Sequence, residues 1–330
     1  MWQAVKEAIA ANENFVFCTH RDPDADGVGS EMALSLALRR LGKNCVVLNC
    51  DSLPDSLSFL DPDRTVRGFD TMSAEQSSRL LDEADIIFFL DASEWSRLRP
   101  MDKEVSSRAH KVICIDHHPV EQPLTDVSVI RVDYSSTGEL IFELLKDMGL
   151  PLDGGVAFSL YTALVKDTGC FRFDNTNERV FRMATELCTY DEVRPSYVYD
   201  RLFERSSIAG VKALGKVLKT LEFAYGNRLA HISLTNEIMD QTGATLEDTE
   251  NFVDVIRALD PVDLCIYFRE LDSGKIKASF RSKSSKINVN NLAVKMGGGG
   301  HVRASGAVIE GALPDVIARV VEAAADCFKH

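Results

Sequence analysis

The stretch KVICIDHHPVE, residues 111–121, places three titratable side chains directly after a short apolar run. Residues 112–115 have the length and composition of a buried β-strand. Asp116, His117 and His118 follow this strand without an intervening turn. Sites in parallel α/β sheets form at the carboxyl ends of the strands, so this strand end is predicted to be functional.

The first half of the chain repeats the pattern of an apolar run followed by a helical segment. Near-continuous apolar strands that alternate with helices are typical of a doubly wound, mostly parallel α/β sheet covered on both faces. Ser136 and Glu139 have the spacing of a capping box at the start of one helix. Strands are predicted at 14–20, 44–50, 84–91 and 111–116, and helices at 29–42, 135–149, 154–169 and 177–188.

The pattern changes after residue 222, where shorter strands replace the long apolar runs. Strands are predicted at 229–235, 263–271 and 275–283, the last two as a hairpin around 272–274, and helices at 245–260 and 313–328. We therefore predict three parts: an N-terminal catalytic domain at 1–190, a helical linker at 191–222 and a smaller C-terminal α/β domain at 223–330.

The composition excludes several classes of protein. The formal net charge is −13, which argues against a protein that coats long nucleic acid or an anionic membrane. The eight cysteines form no C-x-x-C pair and resemble the small core residues of proteins in a reducing compartment. The sequence shows neither a signal peptide nor an apolar stretch long enough to span a bilayer. We expect a cytoplasmic protein.

Titratable residues recur at several predicted strand ends and at one helix end. Each has an ordinary explanation alone, because aspartates often cap helices and histidines often lie at strand ends. Gathered on one rim, the carboxylates would repel each other unless cations neutralised them. Carboxylate and imidazole ligands suit Mn²⁺ or a similar ion, and so many ligands favour two ions about 3.5–4 Å apart. The candidates are His20, Asp24, Asp26, Asp91, Asp116, His117, His118 and Asp167.

Four short motifs carry a resemblance to a known family. DADG after a strand and a histidine, then LDAS, DHH and KDTG, resemble in order and spacing the motifs of the DHH phosphoesterase superfamily. The resemblance implies a pair of divalent metal ions and a role for each motif residue. It implies one ion at His20 and Asp24 and another at Asp26, His117 and Asp167, with Asp91 bridging both, Asp116 orienting an imidazole and His118 facing the substrate phosphate.

A second motif lies in a basic part of the otherwise acidic chain. Residues 269–303 contain eight Lys or Arg and two acids, which gives this segment a formal charge of +6. KMGGGGHVRASGAVIEG, residues 295–311, combines a glycine run with cationic side chains, as anion sites do. It resembles the nucleotide-binding motif of the first type of DHH-associated domain. The implied substrate-binding residues are Arg281, Gly298, Gly299, Gly300, His301, Arg303 and Ser305.

The two-domain plan narrows the implied activity. Family pyrophosphatases carry a different second domain, the exonuclease RecJ has further modules, and the membrane phosphodiesterases have transmembrane segments. The chain therefore resembles the compact nanoRNase group. This implies that metal-activated water, in a cleft between the domains, hydrolyses RNAs of about two to five nucleotides, pGpG included.

The same resemblance implies further properties. Adenosine 3′,5′-bisphosphate (pAp) is a possible second substrate, and cyclic di-AMP is the alternative substrate. Mn²⁺ is the expected ion, with Mg²⁺ or Co²⁺ possible, and the protein could form a homodimer. Short RNAs and dinucleotides are the expected partners, whereas long nucleic acid and membranes are not.

Two other classes of function are weaker interpretations. A nucleotide sensor with a vestigial site would lack at least one ligand, whereas every motif residue is present. A dinucleotide-dependent oxidoreductase would carry G-x-G-x-x-G after its first strand. The turn after this first strand instead contains Asp24 and Asp26, which would repel a pyrophosphate.

Overall fold

The computed structural model describes residues 1–271, 273–284 and 286–329, and the chain divides into two compact units, Met1–Arg205 and Ser206–His330. The division lies inside the segment 191–222, which was predicted as a linker. One helix of that segment therefore belongs to the first unit and another to the second. Asp272, part of the predicted hairpin turn, lies outside the described residues. None of the helices in the described ranges has the length and apolar character needed to cross a bilayer.

The first unit is built on one six-stranded sheet in which every pair of neighbouring strands is parallel. The spatial order is β3-β2-β1-β4-β5-β6, so the chain proceeds in one direction from β1 and in the other from β4. The strands are β1 (Asn14–Cys18), β2 (Asn44–Asn49), β3 (Arg67–Gly68), β4 (Ile86–Leu90), β5 (Val112–Asp116) and β6 (Val127–Ile130).

Apolar side chains on both faces hold this sheet between layers of helices. On β1, Phe15 and Phe17 pack into one core cluster, whereas Val16 and Cys18 pack into another. The predicted sheet covered on both faces is therefore confirmed. The helices of this unit are α1 (Gln3–Ala11), α2 (Ala25–Arg40), α3 (Ala74–Glu83), α4 (Asp102–Ser106), α5 (Thr137–Asp147), α6 (Gly154–Asp167), α7 (Glu178–Leu187) and α8 (Pro195–Phe203).

Two helix starts in this unit differ from the prediction. Helix α2 begins at Ala25 rather than at 29, because Asp24 caps it by accepting hydrogen bonds from the backbone N–H groups of Asp26 and Gly27. The predicted capping box is incomplete, since Ser136 accepts from the Glu139 N–H but the Glu139 carboxylate bonds instead to Ser135. In both cases a side chain satisfies a backbone donor at the start of the helix.

Close packing of α2 on α6 brings two functional helix ends together. A Cβ atom at Gly29 would lie 2.6 Å from the backbone oxygen of Ser159, so only glycine permits this approach. The ligand candidates Asp24 and Asp26 lie at the start of α2, and Asp167 is the last residue of α6.

The second unit contains a sheet with the order β11-β12-β10-β9-β8-β7. Its neighbouring strands are antiparallel except for β8 and β9. The strands are β7 (Glu222–Ala224), β8 (Leu229–Leu234), β9 (Leu264–Glu270), β10 (Lys275–Ser282), β11 (Gly299–Gly300) and β12 (Ala304–Glu310). The helices are α9 (Ile208–Val217), α10 (Asn236–Thr242), α11 (Phe252–Arg257), α12 (Val289–Lys295) and α13 (Leu313–Ala323).

Two predicted helices of this unit were too long. The prediction for 245–260 was wrong at its start, because only Phe252–Arg257 is α-helical, after a 3₁₀ turn at Glu247–Thr249. The Asp248 carboxylate accepts from the N–H and hydroxyl of Thr245, and the Thr245 hydroxyl accepts from the N–H of Asp248, so this pair caps the 3₁₀ turn. The last helix ends at Ala323 and continues as a 3₁₀ turn over Ala324–Phe328.

Candidate metal centre

The predicted metal ligands lie where the strand order of the first sheet reverses. Strands β1, β4 and β5 are neighbours, so residues that follow their carboxyl ends meet at one rim. The start of α2 and the end of α6 supply the others. Among the described residues, three groups of side chains that could hold a metal ion have ligand atoms within 4.8 Å of one another. The first set is His20, Asp24 and Asp91, and the second set is Asp26, His117 and Asp167. The third group, Asp91, His117 and His118, shares one residue with each set.

His20 presents one ring nitrogen to the first set. Its Nδ1 lies 2.7 Å from the backbone oxygen of Arg21, so the carbonyl accepts from Nδ1. The other nitrogen, Nε2, is 3.6 Å from Oδ2 of Asp91. This backbone contact selects the tautomer that leaves Nε2 to face the carboxylates, as is common for metal-binding histidines.

His117 occupies the middle of the second set. Its Nε2 lies 3.0 Å from Oδ2 of Asp167, 3.7 Å from Oδ2 of Asp26 and 3.6 Å from Oδ1 of Asp91. One imidazole nitrogen that faces three carboxylate oxygens in a buried position is the donor set that a divalent cation would organise.

Asp91 is shared between the two sets. Its Oδ2 faces His20 and its Oδ1 faces His117, both at 3.6 Å, and the residue is only 2% exposed. Its backbone is left-handed, with φ of 61°, a conformation that aspartate and asparagine tolerate better than most residues. Thr137 fixes the orientation of the carboxylate, because its hydroxyl donates to Oδ1 at 2.9 Å.

The start of α5 holds a second carboxylate, and the sequence analysis did not assign this role. The backbone N–H groups of Thr137 and Gly138 donate to the two oxygens of Asp26 at 2.8 and 2.9 Å. Such N–H groups at a helix start bind anions well. The capping sequence before this helix was the available signal, since it predicts a helix start whose N–H groups can bind an anion.

Asp116 and His118 form a pair beside the second set. Oδ1 of Asp116 accepts from the backbone N–H of His118 at 3.0 Å and lies 2.8 Å from its ring Nδ1. The His118 side chain is 38% exposed, and its Nδ1 lies 3.7 Å from Oδ1 of Asp91. This geometry suits the predicted orienting role of Asp116, and it also places His118 within reach of a metal at Asp91 and His117.

The pKa values show why this cluster needs cations. Burial, and then repulsion by Asp91 and Asp167, raises the pKa of Asp26 well above its ordinary value. Burial also raises the pKa of Asp167, although its bond with His117 opposes this. For Asp91 burial acts in the same direction, but the bond from His20 and the charge on His117 outweigh it and lower the pKa. Bringing these carboxylates together is therefore unfavourable without positive charge beside them, and divalent ions would supply that charge.

This proton balance predicts pH-dependent metal binding. Burial lowers the pKa of His20 and His117, but contacts with Asp91 and Asp167 respectively outweigh it and raise each pKa from 6.5 to about 9. A metal ion binds neutral imidazole, so each ion must displace a proton below that pH. We expect Mn²⁺ affinity to rise from pH 6.5 to 9, as measured by calorimetry in buffers of different ionisation enthalpy. At least about two protons should be released per two ions near pH 7, because Asp26 and Asp167, whose pKa values are raised, add to those from the imidazoles.

The metal-free fold should respond to pH in the opposite direction. A histidine whose pKa is raised by folding contributes stability that is complete below pH 6.5 and is lost as the pH rises through about 9. In chelator, the free energy of unfolding by urea should therefore fall across this window.

Mn²⁺ affinity that stayed constant over the same range would contradict the assignment of the two histidines as ligands.

The predicted substrate-binding residues lie around the β11–β12 hairpin of the second unit. The N–H groups of Gly297 and Gly298 donate to backbone oxygens of α12, so these two donors serve the helix end. The turn closes with a bond from the His301 N–H to the Ala304 oxygen. Gly299, Gly300, His301, Val302 and Arg303 are all exposed along this hairpin.

Arg281 and Ser305 are placed differently from the exposed hairpin. Ser305 is buried on β12, and its hydroxyl donates to the Val289 oxygen at 2.8 Å, so it anchors the strand to α12. Arg281 is half-buried on β10, and its Nη1 donates to the oxygen of Phe280. Burial lowers its pKa from the ordinary arginine value. Substrate contacts for both residues stay a prediction.

Comparison with known families gives matches in both units. Residues 14–164 match the DHH family, N-terminal domain, and residues 226–330 match the DHHA1 domain. The chain is 32% identical to the bifunctional oligoribonuclease and PAP phosphatase NrnA of Thermus thermophilus, over 97% of this chain and 92% of that protein. The protein of the same name from Bacillus subtilis is 29% identical over 91% of each chain.

Solved structures share the fold. An exopolyphosphatase-related protein from Bacteroides fragilis superposes with a TM-score of 0.90 at 27% identity, over 97% of this chain and 93% of that one. RecJ from Thermus thermophilus, solved in complex with Mn²⁺, gives a TM-score of 0.55 at 16% identity. It matches 97% of this chain but 53% of RecJ, so the likeness is one of fold.

Proposed function

The chain belongs to the DHH family of phosphoesterases, and on that premise we propose that it hydrolyses RNAs of about two to five nucleotides, pGpG included, to mononucleotides. Relatives named oligoribonuclease and PAP phosphatase extend over nearly the whole chain, which supports this substrate class. Their name also supports removal of a phosphate from pAp by the same site.

The arrangement around Asp91 carries the proposal. One buried carboxylate lies between two sets of ligands, with His20 on one oxygen and His117 on the other, both at 3.6 Å. A shared carboxylate suits two ions at close separation, and two ions suit phosphoryl hydrolysis. We propose Mn²⁺ for both sites, with Mg²⁺ or Co²⁺ as the other candidates, because the donors are carboxylate and imidazole.

Bound at these positions, two divalent ions would lower the pKa of a water molecule and offset the charge of the phosphate. The protein residues supply orientation. Thr137 holds Asp91, and the N–H groups at the start of α5 hold Asp26. We propose that His118, which Asp116 orients, donates a hydrogen bond to a non-bridging oxygen of the scissile phosphate. A donor at this position stabilises the negative charge that develops there.

The exposed hairpin of the second unit is the proposed anchor for the neighbouring nucleotide. His301 and Arg303 provide donors and positive charge, which suit a phosphate or the plane of a base. Arg281 belongs to the same proposal. A homodimer and a cytoplasmic location are further proposals, and eight free thiols suit a reducing compartment.

Substrate length provides the decisive test. Residues 269–303 carry a formal charge of +6 in a chain of −13, so they can neutralise only a few phosphates. Beyond about five nucleotides, each added phosphate should meet neutral or repulsive surface and add no affinity. We expect kcat/KM to be highest for RNAs of two to five nucleotides and lower for cyclic di-AMP. The measurement compares 5′-labelled RNAs of about two to twenty nucleotides with pGpG, pAp and cyclic di-AMP at fixed Mn²⁺.

The matched controls are the same reactions in chelator and at several salt concentrations. The salt dependence of binding should stop becoming steeper once the RNA exceeds about five nucleotides. Efficiency that rises out to about twenty nucleotides would contradict the proposal. A preference for cyclic di-AMP would replace it with the cyclic dinucleotide alternative.

A further inference from the structure

We propose that Arg172 is a phosphate-binding residue of the first unit, a role that rests on the proposed hydrolysis of nucleotides. Arg172 lies five residues after Asp167, the last residue of α6 and a candidate metal ligand. Its backbone N–H donates at 2.9 Å to the oxygen of Thr168, the residue that directly follows Asp167. The backbone of Arg172 is therefore bonded to the residue that follows a candidate metal ligand.

The segment that presents Arg172 has an unusual backbone. Gly169, Cys170 and Phe171 have φ values of 54°, 57° and 64°, so three consecutive residues are left-handed. This conformation is costly for residues other than glycine, and such strain persists only where surrounding contacts impose it. A Cβ atom at Gly169 would overlap the ring of the exposed Phe173, so a larger residue there would also have to displace that side chain.

Buried contacts hold this turn in place. Thr168 is fully buried; its hydroxyl donates to the Leu164 oxygen at 2.6 Å and accepts from the Phe171 N–H at 3.1 Å. The Asn175 side chain donates to the oxygens of Asp167 and Ser135, both at 3.0 Å. The turn is therefore fastened to the end of α6 and to the segment that precedes α5.

The guanidinium of Arg172 is oriented by a backbone carbonyl. Its Nε donates to the oxygen of Gly169 at 2.8 Å, which fixes the plane of the group. Within the described ranges, no carboxylate forms an ion pair with the exposed side chain of Arg172. This is notable because the chain has a net charge of −13 and Asp167 lies five residues before the arginine. A guanidinium group with a fixed plane, whose terminal N–H groups bond to no carboxylate of the described residues, suits bidentate binding of a phosphate.

The test compares binding of 5′-AMP and adenosine to the full-length Mn²⁺-loaded protein by calorimetry. Wild type should bind AMP more tightly than adenosine. Arg172→Ala should weaken AMP binding by about 10- to 100-fold and leave adenosine binding unchanged, because only the charge-assisted contact is lost. Arg172→Lys should recover part of the loss, since lysine keeps the charge but not the fork.

Arg182→Ala is the matched control, because Arg182 is an exposed arginine of α7 that pairs with Glu178, and it should bind both compounds as wild type does. Unchanged AMP binding in Arg172→Ala would overturn the proposal, as would equal losses for AMP and adenosine or the absence of any AMP preference in wild type. Wild type assayed on short RNA tests the proposed function separately. Loss of hydrolysis with an intact AMP preference would refute that function and leave the phosphate site.

Discussion

Asp91→Asn should lower kcat/KM on dinucleotides by far more than a hundredfold while the protein stays folded. Residues that merely support metal ligands contribute about 10- to 100-fold, and Asp91 is the proposed ligand of both ions. Asparagine keeps the size of the side chain and tolerates the left-handed backbone, with φ of 61°, so the turn should survive. It lacks the negative charge that would hold two cations together.

Asp63→Asn is the matched control for this change. Asp63 is exposed in a turn of the same unit, so the substitution removes the same charge without touching the metal centre. Steady-state rates at saturating Mn²⁺ and urea unfolding of the metal-free proteins provide the two measurements. Turnover of Asp91→Asn close to that of wild type would exclude a shared carboxylate.

His20→Ala and His117→Ala should each remove one of two bound ions. The two histidines belong to different ligand sets and share only Asp91. Each variant therefore loses an imidazole from one set and leaves the other set complete. Equilibrium dialysis followed by elemental analysis should give about two Mn²⁺ for wild type and about one for each variant. Hydrolysis should fall by orders of magnitude in both, because in-line displacement uses both ions.

His110→Ala is the control, since His110 is exposed before β5 and outside both ligand sets. It should retain two ions and full activity. The double variant His20→Ala/His117→Ala should retain none. If either single variant lost both ions, the two sets would form one cooperative site, and the assignment of separate ligands would be wrong.

The sequence predicted that the candidate ligands would cluster, because the carboxyl ends of parallel strands lie at one edge of the sheet. Once β1, β4 and β5 were identified as apolar parallel strands, their carboxyl ends had to share one rim, so His20, Asp91 and His117 were expected to meet. Ligand distance between them also requires β1, β4 and β5 to be neighbours in the sheet, which the sequence alone did not show, and the motifs added the remaining carboxylates. The ligand roles stay predictions, whereas the six residues do lie together.

Contacts made by backbone atoms and hydroxyl groups were not predictable in the same way. The Thr137 hydroxyl donates to Asp91 and its backbone N–H donates to Asp26. Both bonds form only because α5 starts beside the rim, and the packing of helices fixes that position. The segment 245–260 has helical apolar spacing, but the structure forms a capped 3₁₀ turn at Glu247–Thr249 followed by a short helix at Phe252–Arg257. The left-handed turn before Arg172 likewise depends on contacts made by buried Thr168.

The reversal of strand order at β1 and β4 would also affect how the protein acquires the proposed metal ions. The ligands are drawn from residues 20 to 167, so no short segment of the chain contains a complete set. An unfolded chain therefore has little affinity for the ions, and binding favours the folded state alone. At a free concentration a hundred times Kd, each ion would add about 2.7 kcal/mol of stability. Metal supply would thus set the resistance of this unit to proteolysis as well as its activity.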